Sequence, residues 1–182
     1  MRARGLRDLV VARRPGPHAG AGARIRSPTI GRSTGAAGTR RTAVKEVMSV
    51  GDPTTRRIGV DLGTTYTCAA VADGTDVHIV QLETDSHAMA SVVACREDGG
   101  FLAGAAAARR TVTDPTRVAR EFKRRFGDAA PLVLGGRRTS PEELTTELLR
   151  EVLARVTAVE GVAPGAVTLT HPAAWGPYRV DK

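Results

Sequence analysis

Aromatic side chains are scarce in this 182-residue chain, at 3% of residues, and they are unevenly placed. All six (Tyr66, Phe101, Phe122, Phe126, Trp175 and Tyr178) follow residue 65, so the first third lacks the large rings that anchor a core. Cysteine is scarce too. Cys68 and Cys95 stand apart, with no CxxC pair and no neighbouring His cluster, which excludes a zinc signature and a disulfide framework. Both read as reduced, half-buried strand residues. No run approaches the roughly 18 consecutive apolar residues of a transmembrane helix. The stretch from Leu6 to Ala12 is too short and too broken by charge to be a secretory h-region. The default compartment is the cytoplasm. The length leaves room for one domain, with or without a tail, and excludes a second full catalytic domain.

Acidic residues are nearly missing from the head. Residues 1–47 hold 11 Lys and Arg against 2 Asp and Glu, whereas residues 48–182 hold 16 against 17. The formal charge of +8 therefore belongs to the head, and the part able to fold is close to neutral. A nucleic-acid surface on the folding part is excluded by that balance. The head is rich in Arg, Ala, Gly, Ser and Thr with Pro15, Pro17 and Pro28. It shows no sustained helical or strand period, and it cannot bury enough apolar surface to offset chain entropy. Disorder is expected there. Such a segment suits a basic arm, an acidic-poor transit peptide or translated upstream sequence. Met48 opens a short polar lead into the first strand and favours the last of these, so the folding part is taken as residues 48–182.

Arg57 to Asp61, Tyr66 to Ala72 and Val77 to Gln81 read as short strands separated by tight loops, an antiparallel meander. Ser91 to Arg96 and Phe101 to Ala103 flank Glu97-Asp98-Gly99-Gly100 as a second hairpin. A small-residue helix is expected from Ala105 to Arg110. Thr116 to Phe126 reads as an amphipathic helix with Val118, Phe122 and Phe126 on one face. Ser140-Pro141-Glu142-Glu143 is a helix start, with Ser140 as cap, Pro141 in the first turn and Glu143 closing a capping box. Leu144, Leu148, Leu149, Val152, Leu153 and Val156 then form one apolar stripe, and Gly161 is the stop. Ala166 to Thr170 is a buried-type strand halted by Pro172. Meander, crossover helix and returning strand describe an α/β layer whose last strand lies parallel to its first. Asp61 to Thr65 and the turn after Thr170 then share one sheet edge, where ligands of such folds bind.

Two common nucleotide motifs are missing. There is no GxxxxGK[ST], and Gly20-Ala21-Gly22 fails the third glycine of GxGxxG and follows no strand. What the sequence does hold is Asp61-Leu62-Gly63-Thr64-Thr65 at a strand end. Gly63 permits close backbone approach and positive φ. Thr64 and Thr65 set hydroxyls beside successive N–H groups, a concavity suited to phosphate oxygens. Asp61 offers a hard oxygen to Mg²⁺, directly or through water. The same five residues also make an ordinary hairpin turn.

Ile58 to Tyr66 resembles the first phosphate loop shared by actin, sugar kinases and heat-shock ATPases. Four further stretches follow in order: Ala90-Ser-Val-Val-Ala94, Phe101 to Ala108, Asp114-Pro115 with Phe122-Lys123-Arg124, and Ser140 to Glu143 with Val167 to Pro172. Together they resemble the DnaK-type heat-shock chaperones over roughly residues 57–179. The resemblance implies an actin-like, ribonuclease-H-like ATPase lobe that binds ATP or ADP with Mg²⁺. It implies that Asp61 holds the Mg²⁺ hydration shell and that Thr64, Thr65 and the Tyr66 backbone, with Gly63 between, receive the β- and γ-phosphates. It also implies that Lys123, on a helix, reaches the γ-phosphate and the attacking water, where a positioned ammonium stabilises transferring charge. Unfolded client polypeptides and co-chaperones are the partners it implies for the complete protein.

Departures from the family pattern are Met89-Ala90 in place of Thr-Pro, His171 before Pro172, and Trp175-Gly176-Pro177 in place of Phe-Asn-Asp. They point to a divergent bacterial branch. His171 reads as a packing residue and Trp175 as a plug in the core or at a lobe interface. Against the family's two-lobed domain this sequence covers the first lobe, so weak ATP binding, negligible hydrolysis and an association-prone open strand edge are expected. Two other readings are a non-catalytic interaction module on the same scaffold and, more distantly, a sugar kinase.

Overall fold

The computed structural model describes residues 8–14 as backbone, and residues 56–172 and 174–181. The central sheet runs in the order β1 (Asp8–Arg14), β11 (Ala166–Pro172), β2 (Arg57–Leu62), β3 (Tyr66–Asp73) and β4 (Asp76–Ile79), with β5 (Ala88–Ala90) added to β3. β2, β3 and β4 form the antiparallel meander, and β11 returns parallel to β2 with Val167 opposite Ile58. A second sheet orders β7 (Phe101–Ala103), β6 (Val92–Cys95) and β8 (Val118–Arg120), and β9 (Leu132–Leu134) pairs with β10 (Arg137–Thr139). The helices are α1 (Gly104–Thr113), α2 (Pro141–Glu160) and α3 (Pro177–Val180).

Strand alternation decides which face is covered. Ile58, Val60 and Leu62 of β2 and Ala69 and Val71 of β3 are buried, while Arg57, Gly59 and Tyr66 are exposed. Leu144, Leu148, Val152 and Val156 of α2 lie in the same buried cluster, with Leu149 and Leu153 at its margin. The helical stripe and the inward strand positions thus make one core. Cys68 is half-buried, Cys95 is buried, and both are free thiols.

The start of α2 follows from its first four residues. The Ser140 hydroxyl accepts from the Glu143 N–H at 3.1 Å, and Pro141 occupies the first turn, one capped donor worth about 1 kcal/mol. The Glu143 carboxylate does not close the box: it accepts from Arg137 Nη2 of β10 at 2.6 Å. Gly161 ends the helix at φ 71°.

Three features differ from the expected elements. Residues 116–126 are not a helix. Pro115–Arg117 and Phe122–Arg125 are 3₁₀ turns on either side of β8, which pairs with β6 across Val93 and Ala119. Glu121 adopts φ 52°, a left-handed conformation that no helix interior tolerates. The spacing of Phe122 and Phe126 still buries both rings, so the apolar positions were correct and the period was not. The β9–β10 hairpin turns at Gly135 and Gly136, at φ 57° and 89°, the two positive values that a tight two-residue loop requires. The third difference lies in the head. Asp8–Arg14 is a strand lying parallel to β11 along its outer edge, because Leu9 to Ala12 is an apolar, β-branched run. β1 thus covers that side of β11 and becomes the terminal strand of the sheet. The rest of residues 1–47 lies outside the described residues.

Glu83, which no motif marks, joins two helices. Its carboxylate accepts from the Ala105 N–H in the first turn of α1 at 2.9 Å and pairs with Arg155 of α2 at 2.7 Å. Burial alone would lower the Arg155 pKa. Hydrogen bonds and charge from Glu151 and Glu83 outweigh it and leave the pKa raised.

Thr139 carries a buried hydroxyl with no hydrogen-bond partner. A buried hydroxyl left unmade costs about 1–3 kcal/mol. Thr139→Val is therefore expected to leave stability unchanged or raise it by about 1 kcal/mol, measured as the urea midpoint at constant slope. A lower midpoint would show that the hydroxyl is satisfied in solution.

Candidate functional site

The bend between β2 and β3 is built by a buried hydroxyl staple. Ser91 Oγ donates to the Gly63 carbonyl at 2.9 Å and lies 2.9 Å from Thr67 Oγ1, while the Ser91 N–H donates to the Thr65 carbonyl at 2.8 Å. Ser91, at 3% exposure, fixes both ends of the Gly63–Thr65 turn, a role that its place in the Ser-Val-Val stretch did not disclose. Ser91→Ala leaves the Gly63 carbonyl and the Thr67 hydroxyl without this partner. The expected loss is about 1–3 kcal/mol, read by thermal unfolding, with Ser91→Thr losing less.

Of the two reasons expected for Gly63, close approach applies, toward the protein's own backbone, and positive φ does not. It is not among the residues at positive φ. Instead, a Cβ at this position would fall well inside 3.0 Å of the Tyr66 carbonyl oxygen. Close backbone approach selects the glycine.

Around this bend the fold gathers the other candidate residues. Asp61, half-buried at the end of β2, accepts from Thr170 Oγ1 of β11 at 2.7 Å, so the carboxylate and the turn after Thr170 share one sheet edge. Thr64 is half-buried, and Thr65 and Tyr66 are exposed. The three border a concavity of about 510 Å³ with Ser91, Arg120 and Glu121. Lys123 comes from the opposite side. It is buried in a 3₁₀ turn rather than on a helix, and its Nζ donates to the Leu62 carbonyl, next to Asp61. The Gly127 N–H, donating to Glu142 Oε1 at 2.7 Å, ties that turn to α2.

The departures noted in the sequence meet at the same corner. Trp175 stacks on Phe126 at 4.7 Å between centroids and on His171 at 5.9 Å. Lys123 Nζ lies 5.7 Å from the Trp175 ring centroid, within cation–π range. His171 is buried, as a packing residue should be, and its Nδ1 lies 2.9 Å from the Pro172 carbonyl.

A Mg²⁺ ion fits this donor set in one way only. No group of three or more His, Cys, Asp or Glu side chains suited to a metal occurs among the described residues, so an all-protein cage is not on offer. Asp61 lines a different concavity from that of Thr64, Thr65 and Tyr66, one it shares with Gly59, Cys68 and Asp85, and a single carboxylate of this kind near hydroxyls suits an ion that keeps its waters and binds through phosphate. A separate concavity of about 360 Å³ is lined by Glu97, Arg110 and two ion pairs, Arg96 with Asp98 at 2.7 Å and Arg117 with Asp114 at 3.0 Å.

The model of the Hsp70 protein family matches residues 57–159, from the first strand of the bend to the penultimate residue of α2. The chain belongs to the Hsp70 family. Its mixed α/β layer is accordingly part of the actin-like ATPase fold. Hsp70 proteins are chaperone-type ATPases that bind ATP and ADP with Mg²⁺ and act on client polypeptides with co-chaperones. Asp61, Gly63, Thr64, Thr65, Tyr66 and Lys123 all fall within the matched stretch. His171 and Trp175 lie beyond it. No described helix is long and apolar enough to cross a membrane.

Proposed function

We propose that this chain carries the magnesium–nucleotide site of a DnaK-type folding chaperone from a divergent bacterial branch, working in the cytoplasm on unfolded polypeptides. The observation that carries this reading is the convergence on one bend. Lys123 reaches the Leu62 carbonyl, Thr170 reaches Asp61, and Ser91 clamps Gly63. An ordinary hairpin turn has no need of an ammonium delivered from 61 residues away.

In this proposal Asp61 holds the hydration shell of Mg²⁺, and Thr64, Thr65 and the Tyr66 backbone receive the β- and γ-phosphate oxygens. The metal supplies charge neutralisation on those oxygens. Lys123 supplies a second positive charge beside the transferring group. An ammonium has three donors, so it can keep the Leu62 carbonyl while turning another toward phosphate. Thr65 and Tyr66 are exposed, and no described residue closes the concavity over them. Affinity in this 182-residue polypeptide is therefore weak and turnover negligible, for want of enclosure.

Equilibrium binding of ATP with and without Mg²⁺ tests the reading. Magnesium is expected to strengthen binding, and Asp61→Asn to remove about a tenfold share of that gain, as a lost charge-assisted contact of about 1.4 kcal/mol would. An identical magnesium response in Asp61→Asn would overturn the assignment. Robust Lys123-dependent hydrolysis would overturn the negligible turnover.

A further inference from the structure

β11 is held unevenly by its two neighbours. β2 pairs with it from Ala166 to Leu169 only, whereas β1 pairs with it over seven residues, from Asp8 opposite Ala166 to Arg14 opposite Pro172. Among the described strands, Thr170, His171 and Pro172 thus have β1 alone as a ladder partner. They are also the residues of β11 nearest the bend: Thr170 Oγ1 donates to Asp61, and His171 stacks on Trp175.

The strand that holds them comes from the basic, aromatic-free head of the chain. Main-chain pairing along β11 attaches Asp8–Arg14 to the sheet. Affinity from the ladder is how an extended segment adds to a sheet edge. The long segment from residue 15 to residue 56 is a small handicap, because closure entropy grows only slowly with length. Asp8 and Arg13-Arg14 bracket the apolar run, and charges on an edge strand discourage pairing with a further chain.

We propose that the outer edge of β11, Ala166–Pro172, is a strand-addition site whose occupant is the chain's own Asp8–Arg14, and that this strand holds Thr170 in place against Asp61. The proposal does not depend on nucleotide binding. Head and bend are coupled through backbone pairing, and a chain beginning at Met48 loses the coupling.

Amide hydrogen exchange on the full chain tests it without nucleotide. In the unmodified protein the alternate amides of residues 9–12 that face β11 are expected to be protected and to exchange together with those of residues 169–171 that face β1. Exchange of residues 9–12 at the free-chain rate would overturn the proposal. In the full chain with Val10→Pro and Val11→Pro, which removes the one ladder donor of that adjacent pair, whichever of the two faces β11, residues 169–171 are expected to exchange about tenfold faster while Leu148 in α2 keeps its protection. A synthetic peptide of residues 5–16 added to that variant is expected to restore protection. Unchanged exchange at residues 169–171, or no restoration by the peptide at millimolar concentration, would refute strand addition. Should the double-proline variant lose protection in α2 as well, the unmodified chain alone decides.

Discussion

Gly63→Ala is expected to destabilise the protein by on the order of 2–4 kcal/mol and to abolish magnesium-dependent ATP binding at once. The new Cβ meets backbone, the Tyr66 carbonyl oxygen, rather than the movable tip of a side chain. The turn must open, and opening breaks the bonds from Ser91 to the Gly63 and Thr65 carbonyls. Strain and lost hydrogen bonds therefore add at one place. Thermal unfolding gives the first effect and equilibrium binding the second. Wild-type stability in the alanine variant would mean that the bend is looser than its staple implies. Gly59→Ala serves as the control, since a Cβ there meets nothing within 4 Å.

Leu148→Ala is expected to cost about 3–5 kcal/mol, the upper part of the range for a leucine emptied from a core. Leu148 is fully buried and lies in the cluster that joins α2 to the sheet. Strands β2 and β3 press on one side of that cluster, and Arg155 ties α2 to the Leu82 carbonyl and the Glu83 carboxylate. Little relaxation is available to fill the hole. For a chain of this size the loss lowers Tm by roughly 6–20 °C. Leu149→Ala, at the margin of the same cluster, is expected to cost less than half as much. Equal costs at the two positions would contradict the orientation of the helix.

Much of this arrangement is written in local pattern. The stripe from Leu144 to Val156, the Ser140-Pro141 start and the Gly161 stop all speak through period and capping, which depend only on near neighbours, and α2 runs between them. The meander is legible for the same reason. Residues 116–126 are misread because Val118, Phe122 and Phe126 are spaced as a helix would space them, while pairing with β6 and the left-handed Glu121 impose something else. Tertiary pairing overrides a period that short. Asp8–Arg14 is missed because seven residues inside a basic, low-complexity head carry too little signal until β11 is there to receive them. The candidate site divides in the same way. Asp61, Gly63, Thr64 and Thr65 are adjacent in sequence and visible as a group. Ser91, Thr170 and Glu142 act through hydrogen bonds over separations of 15 to 109 residues, and although each lies in a stretch the sequence marks, nothing local discloses its partner.

The stack of Phe126, Trp175 and His171 gives the molecule an intrinsic optical probe. Trp175 is the sole tryptophan, so every photon of indole fluorescence originates within 5.7 Å of the Lys123 ammonium. Its emission maximum and quantum yield therefore follow the position of that charge without any attached dye, and a stopped-flow trace of tryptophan emission becomes a clock for movements of a single lysine.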